Sequence, residues 1–449
     1  MALTLFLPCA GGVEEFLAHE VHGLTGLAGQ DLVTVRGGVR VQGGWGELMR
    51  LNLCSRLAQR VLVELAHGPY ASEDDLYRLA EGVPWETWFA ARQSFRVDVT
   101  AQGSPLKSLN FATLRVKDAV ADRFRAQAGG VRPSIDTRVP DVRVTAHLTA
   151  DEATLYIDTS GEPLFKRGWR QQQGDAPLKE TLAAAMLAAS GWWLPAERRV
   201  LDEPLYDPCC GSGTIVIEAA QLALGLPAGG LRRFAFERLK PFDPVLWNTI
   251  KKEAAPDHHA RAGGPKGTEN PAVRIFGSDV AHRMVDFAQR NAERAGVAHA
   301  VQLRGGDALQ RLPPSPQPGV LLMNPPYGER IAAAGVAGRQ ARGAAAPGAR
   351  GREGFFQSGT LARQRHAADG APAEAAEVNA GDAFFDRLAA HWKQHFAGWT
   401  AWLLTPDMKL PGRLRLKATR RVPLWNGPIE CRLFRFDLTA RGAKDDAAP

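Results

Sequence analysis

The sequence predicts an α/β protein whose larger part is a doubly wound, mainly parallel sheet, preceded by smaller α+β regions. Three observations carry this expectation. From about residue 175 onward, short apolar runs alternate with segments of helical periodicity, the pattern of repeated βα units. Before residue 160, alternating strands, a hairpin pattern and amphipathic helices are mixed without that regular alternation. Finally, the unusual loops of the C-terminal part all follow apolar runs, and ligands of open α/β sheets bind at the carboxyl ends of strands.

Taken in order, GVEEFLAHEVHGL reads as an amphipathic helix closed by Gly23, and LVTVRGGVRVQGG as a hairpin, together a first region over residues 1–45. A second region, residues 46–160, begins with ELMRLNLCSRLAQRVLVEL and the helical DDLYRLAEG. It continues with the strand SFRVDVTAQ and the helix FATLRVKDAVADRFRAQ, and closes with the strands VRVTAHLTA and ATLYIDTS. The FATLRVKD helix carries Arg115, Lys117, Arg123 and Arg125, which suit a phosphate backbone but equally a solvated helix face. The third region, residues 170–442, opens with the helix PLKETLAAAMLAASGWW. Its strands are expected to end at Tyr206, Ser278, Leu303, Met323, Leu404 and Asp437. Residues 251–271 and 331–380 read as insertions. Half of the second is Ala or Gly, too poor in large apolar groups to offset its ordering entropy, so disorder is expected.

Composition narrows the function classes. The chain has 449 residues with 45% hydrophobic and 23% charged, an ordinary balance for globular domains. No apolar run approaches the roughly 20 residues that span a bilayer, and the N-terminus lacks a basic, signal-like segment, so a cytoplasmic protein without a membrane partner is expected. Net charge is +7, which suits a polyanionic partner. The five cysteines form no CxxC pair and no zinc-ligand spacing, so no metal site is expected.

Three loops could carry chemistry. In DPCCGSGT (207–214) no Lys follows Gly213, which excludes a P-loop, and Val216 replaces the third glycine of a dinucleotide fingerprint. What remains is a strand ending in Asp207, then Gly211, Gly213 and Thr214, then a helix. The free N–H groups of that helix N-terminus suit a carboxylate, and Asp207 suits an ammonium group. An amino-acid zwitterion such as the methionine part of S-adenosylmethionine fits; an ordinary tight strand–helix turn fits as well. Asp279, in FGSD, could hold two ribose hydroxyls, although it lies about 66 residues past Gly213 where roughly 20 are usual. Asp307, in RGGDAL, could accept from an adenine amine; either acid could instead be a helix cap.

The third loop, LLMNPPYGER, is the most informative. Methyl transfer to an exocyclic amine must favour a tetrahedral nitrogen whose lone pair has left the ring system. Two acceptors aimed at the amine hydrogens do this: the Asn324 side-chain oxygen and the Pro325 carbonyl, its direction set by the Pro325–Pro326 pair. Tyr327 offers a face on which a base can stack.

With DPCCGSGTIVIEAA and NPPYGER in one chain, the sequence resembles class I S-adenosylmethionine-dependent methyltransferases of the Rossmann-like fold. LKETLAAAM, DPCCGSGT, FGSD, NPPYGER and LWNGPIECRLFRF, in that order, are similar to a bacterial 23S rRNA N2-guanine methyltransferase family. GVEEFLAHE, SRLAQRVL, FATLRVKDAVADRF and PDVRVTAHL resemble that family's ferredoxin-like and THUMP regions. The resemblance implies S-adenosylmethionine as cofactor, held by Asp207, Gly211, Gly213, Asp279 and Asp307, with Lys179, Glu180 and Thr181 over its methionine end. It implies that Asn324, Pro325 and Tyr327 hold the guanine and that the THUMP region grips 23S rRNA. A THUMP-bearing tRNA N2-guanine methyltransferase, a DNA adenine methyltransferase, against which the THUMP-like N-terminus argues, and a non-catalytic RNA-binding assembly factor are the alternatives. The chain departs from the family in its Ala/Gly insertion after NPPYGER and in stopping where some members continue into a second methyltransferase half, so no additional activity is expected.

Overall fold

The computed structural model describes residues 2–127, 129–174, 177–255, 274–325 and 373–439. Its first half is a single eight-stranded sheet. The elements are β1 (Leu3–Pro8), α1 (Glu14–Thr25), β2 (Leu32–Val35), β3 (Gly38–Gly43), α2 (Trp45–Cys54) and β4 (Leu62–Pro69). They continue with α3 (Glu73–Glu81), β5 (Ser94–Ala101), α4 (Leu109–Gln127), β6 (Ser134–Ile135), β7 (Val142–Leu148) and β8 (Glu152–Asp158). Strand order is β2-β3-β1-β4-β8-β7-β5-β6, so β4 pairs antiparallel with both β1 and β8 and joins what the sequence divides into two regions. Alternation decides the buried face: Leu3, Leu5 and Leu7 are buried, while Thr4 and Phe6 between them are half-buried. Helix α3 starts at Ser72, whose hydroxyl accepts from the Asp75 N–H while Asp75 accepts from the Ser72 N–H. Helix α1 does not stop at Gly23 but runs on to Gly26. Gly23 instead lies inside the helix, where any Cβ would meet the Pro195 carbonyl oxygen at 2.5 Å.

The second half contains α5 (Glu180–Ser190), the short pair β9 (Trp193–Leu194) and β10 (Arg199–Val200), β11 (Leu205–Asp207), α6 (Thr214–Ala223) and α7 (Pro244–Glu253). Then come β12 (Ile275–Asp279), α8 (His282–Arg294), β13 (Gln302–Gly305), β14 (Val320–Met323) and α9 (Ala373–His395). The chain continues with β15 (Thr400–Thr405), α10 (Leu410–Leu414), β16 (Arg420–Asn426) and β17 (Ile429–Asp437). The main sheet has the order β13-β12-β11-β14-β15-β17-β16; its first five strands are parallel and β17 runs antiparallel to both neighbours. The predicted strand ends fall within two residues of those observed; β16, not expected from the sequence pattern, completes a hairpin at the sheet edge.

Both faces of this sheet are covered, as strands without polar alternation require. Val320 and Leu322 of β14 join the large core with α5 and α6, whereas Leu321 and Met323 point to a second core with α9 and α10. The two halves of the chain meet through a buried ion cluster. Glu218 of α6 accepts from Arg56, after α2, at 2.9 Å and from Arg167, in the connecting segment, at 3.0 Å. All three side chains are at most 4% exposed. The two guanidiniums outweigh desolvation and hold the Glu218 carboxyl below its ordinary range. No described helix is long and apolar enough to cross a membrane.

Candidate active site

The site assembles at the carboxyl edge of the parallel sheet. Strand β11 is central there, with β12 on one side and β14 on the other. It ends in Asp207, 2% exposed, whose Oδ1 accepts the Cys209 N–H at 3.1 Å. Burial, reinforced by the nearby Asp279 carboxylate, pushes its pKa up to about 8. A carboxyl so placed gains its charge cheaply only beside a cation, which is the condition an ammonium group supplies.

The turn that follows is pinned from several directions. Gly213 adopts φ 88°, and a Cβ there would stand 3.0 Å from the Ala288 Cβ of α8, so glycine is required both for conformation and for helix packing. Gly211 has open space above it. Arg170 donates to the Ser212 hydroxyl (3.1 Å), to the Thr214 hydroxyl (2.8 Å) and to Glu180 (2.8 Å). Asn291, fully buried in α8, donates to the Ser212 carbonyl at 3.0 Å. Arg170 and Asn291 are absent from the sequence reading because nothing in their local pattern marks them.

The two cysteines lie behind this turn. Cys210 is buried and donates its N–H to the Ser278 carbonyl at 2.9 Å. Its sulfur packs beside Gly277, where a Cβ would stand 3.3 Å from it. Burial and the carboxylates of Asp207 and Asp279 push both thiols far above the ordinary range, so they remain protonated.

Asp279, at the end of β12, accepts from the Gly211 N–H at 3.0 Å and the Ala281 N–H at 2.9 Å, one on each oxygen. Each oxygen keeps a further lone pair for a ligand, and burial pushes the carboxyl up. Asp307, beyond β13, accepts the Leu309 N–H on Oδ1 at 2.9 Å. Its Oδ2 is buried and has no hydrogen-bond partner among the described residues. Buried polar atoms without partners are uncommon, and this one calls for a donor from a ligand. Three carboxylates at three successive strand ends, one of them with an orphaned acceptor, fit the ammonium, ribose and adenine amine of S-adenosylmethionine.

On the other side of β11, β14 ends at Met323 and leads into half-buried Asn324 and buried Pro325. Tyr206 pairs in register with Leu321. Asn324 is therefore one strand over and two residues beyond the level of Asp207, about 8 Å from it by strand geometry. Pro326 and Tyr327 lie outside the described residues, as do most of residues 251–271 and 331–380. Lys179 and Thr181 frame the start of α5, with buried Glu180 between them held by Arg170. The basic residues of α4 do not form an unopposed strip: Arg115 pairs with Asp74, Lys117 with Asp118, Arg123 with Glu86 and Arg125 with Asp122. Among the described residues no group of His, Cys, Asp and Glu could hold a metal ion.

The strand order, the reversed β17 and the Gly-x-Gly turn after β11 define a class I methyltransferase fold. The chain is more closely specified by comparison with known families. Residues 4–62 match the RlmL ferredoxin-like domain, 70–158 the THUMP domain and 167–339 the RMKL-like methyltransferase domain. The resemblance drawn from the motifs is thus borne out over all three parts, and the first match takes in α2. Ribosomal RNA large subunit methyltransferase K/L of Psychromonas ingrahamii is 32% identical over all of this chain and 52% of its own length. The protein of the same name from Aeromonas salmonicida is 32% identical over 96% of this chain and 54% of its own. The chain spans about half the length of the curated relatives it matches. Among solved structures, SMU.472, named as a methyltransferase and complexed with SAH, superposes with a TM-score of 0.75 at 25% identity, covering 98% of both chains. A Listeria monocytogenes protein named as an N6-adenine-specific DNA methylase gives the same TM-score and identity over 98% of this chain and 97% of its own.

Proposed function

We propose that this protein transfers a methyl group from S-adenosylmethionine to the exocyclic N2 amine of a guanine in 23S rRNA, a reaction of the cytoplasm. The observation that carries the reading is the adjacency of two strand ends: the carboxylates at β11, β12 and β13 on one side and Asn324–Pro325 at β14 on the other. S-adenosylmethionine supplies an electrophilic methyl group on sulfur. Asp207 binds the ammonium end, Asp279 the ribose hydroxyls and Asp307, through Oδ2, the adenine amine. The Asn324 side-chain oxygen and the Pro325 carbonyl accept from the two hydrogens of the target amine and turn its lone pair toward the methyl group. Tyr327 stacks on the base. The guanine N2 is buried in a paired helix, so the nucleotide must be unpaired or flipped out. Once the nitrogen is alkylated its extra proton is acidic and leaves to water, so neither the thiols nor a strong base is needed. The relatives named for ribosomal RNA and the THUMP domain favour RNA over DNA.

The test is methyl transfer to unmodified 23S rRNA, tRNA and DNA, followed by nucleoside analysis. N2-methylguanine in the 23S rRNA fragment is expected, and Asn324→Ala should abolish it while leaving SAH binding nearly intact. N6-methyladenine in DNA, N2-methylguanine in tRNA alone, or undiminished turnover by Asn324→Ala would overturn the reading.

A further inference from the structure

The motif LWNGPIECRLFRF forms the β16–β17 hairpin, and the mechanism above gives it no task. Its turn projects at the carboxyl edge of the sheet, where β17 runs antiparallel to β15. The turn meets the N-terminal half of the chain there. Gly12 leaves no room for a side chain, since a Cβ would lie 2.1 Å from the Pro423 carbonyl oxygen, and the Trp425 N–H donates to the Gly11 carbonyl at 3.3 Å. The indole packs directly on Gly11, with a ring atom 3.0 Å from where a Cβ would be. Beside this contact a cavity of about 500 Å³ opens between the β1–α1 loop, the β2–β3 turn, the start of α5 and the hairpin.

We propose that this cavity binds a nucleotide of the substrate RNA flanking the one that is methylated; the inference rests on the RNA methyltransferase reading above. Its lining has the chemistry of nucleotide recognition. Trp425 is half-buried, with Gly11 against its indole and the Arg432 guanidinium 6.0 Å from the ring centre, so the exposed part of the ring and that cation together offer a stacking platform. The amide side chains of Gln59 and Asn426 are half-buried and have no hydrogen-bond partner among the described residues, so both can read base edges. Arg36 is exposed, has no ion-pair partner among the described residues and suits a phosphate, while Lys179, its ammonium 5.3 Å from the centre of the Phe165 ring, lines the cavity at the start of α5. Glu14, the one carboxylate in the lining, accepts the Gly37 N–H at 3.2 Å. A second cavity, beside the segment 162–180, is rich in arginine, but three of its four arginines are committed, Arg167 to Glu218 among them, and only exposed Arg233 has no partner among the described residues. Arg170 serves Glu180 and the cofactor turn, and Arg232 donates to the carbonyls of Ser160, Glu162, Pro163 and Lys166.

Position assigns the cavity to a neighbour rather than to the target. Trp425 lies on β16, three strands from β14 and roughly 14 Å from it across the sheet. Helix α5 packs against β14 and β17 in between. A base stacked on Trp425 is therefore too far from Asn324 to be methylated, yet close enough to belong to the same strand.

The experiment uses the full chain and an unmodified 23S rRNA transcript carrying 4-thiouridine, with photocrosslinks located by mass spectrometry. Adducts on residues 425–427 or Arg36 are expected. Trp425→Ala should raise the RNA concentration for half-maximal methylation by about fivefold or more, as loss of one base–aromatic stack implies. Trp425→Phe should recover most of that loss, and SAH affinity should be unchanged in both. Asn426→Ala and Arg36→Ala carry the test if Trp425→Ala fails to fold. RNA saturation unchanged in the folded variants, or crosslinks confined to other surfaces, would overturn the inference. Crosslinks at Trp425 in a protein that methylates no guanine would instead overturn the function and leave the pocket standing.

Discussion

Replacing Asp207 by Asn keeps the shape of the side chain and an acceptor for the Cys209 N–H, but removes the ionisable group. In the free protein the Asp207 pKa is pushed from 3.8 to about 8 by burial and by Asp279. Between those values the native chain holds a proton that the unfolded chain has released, so stability falls as pH rises, by about 1.4 kcal/mol per unit. Over the whole interval this amounts to roughly 6 kcal/mol, present below pH 4 and lost by pH 8. Asp207→Asn lacks that slope. Its unfolding midpoint should lie close to wild type at pH 5 and clearly above it at pH 8. Ligand binding should move the opposite way. The ammonium of SAH needs the carboxylate, so wild-type affinity should strengthen from pH 6 to pH 8. The variant should bind about 10- to 100-fold more weakly at pH 8, the worth of one charge-assisted hydrogen bond. Midpoints and SAH titration calorimetry at the two pH values measure both effects. A stability gap indifferent to pH would refute the assignment of the proton to Asp207. Equal SAH affinity would refute its contact with the cofactor.

Glu218→Gln leaves two buried guanidiniums without their counter-charge and should cost about 3–5 kcal/mol; faster proteolysis between the N-terminal and C-terminal halves would report it, and an unchanged digest would count against the cluster as the joint. Gly213→Ala should impair both stability and SAH binding, because the added Cβ meets Ala288 and the backbone there is left-handed. Thermal melting with and without SAH separates the two losses, and a wild-type ligand-induced shift would show that the turn tolerates a side chain. The Cys209→Ala, Cys210→Ala double variant should keep measurable methyl transfer; complete loss in a folded protein that still binds SAH would assign the thiols a chemical part.

Much of the fold and site is legible in the sequence because it depends on local order. The parallel sheet follows from apolar runs with helices between them, and the turn at 207–214 from glycines that directly precede a helix. Asp279 and Asp307 are reached by the rule that ligands meet strand ends, despite the long excursion between the first two motifs. The basic surface expected on α4 is less legible. Arg115, Lys117, Arg123 and Arg125 look like a basic face in one dimension, but folding brings Asp74 and Glu86 against two of them and sequence neighbours against the others.

By itself the sequence determined which residues could do chemistry, since Asp207, Asp279, Asp307 and Asn324 carry their meaning in residue type and position after a strand. Tertiary structure alone decided what supports them and what surrounds them. Arg170 reaches Ser212 across 42 residues, Arg56 reaches Glu218 across 162, and Trp425 closes on Gly11 from the opposite end of the chain. Contacts of that span leave no periodic trace, because a buried hydrogen bond or ion pair is selected by the space the packed core leaves rather than by its neighbours in the chain.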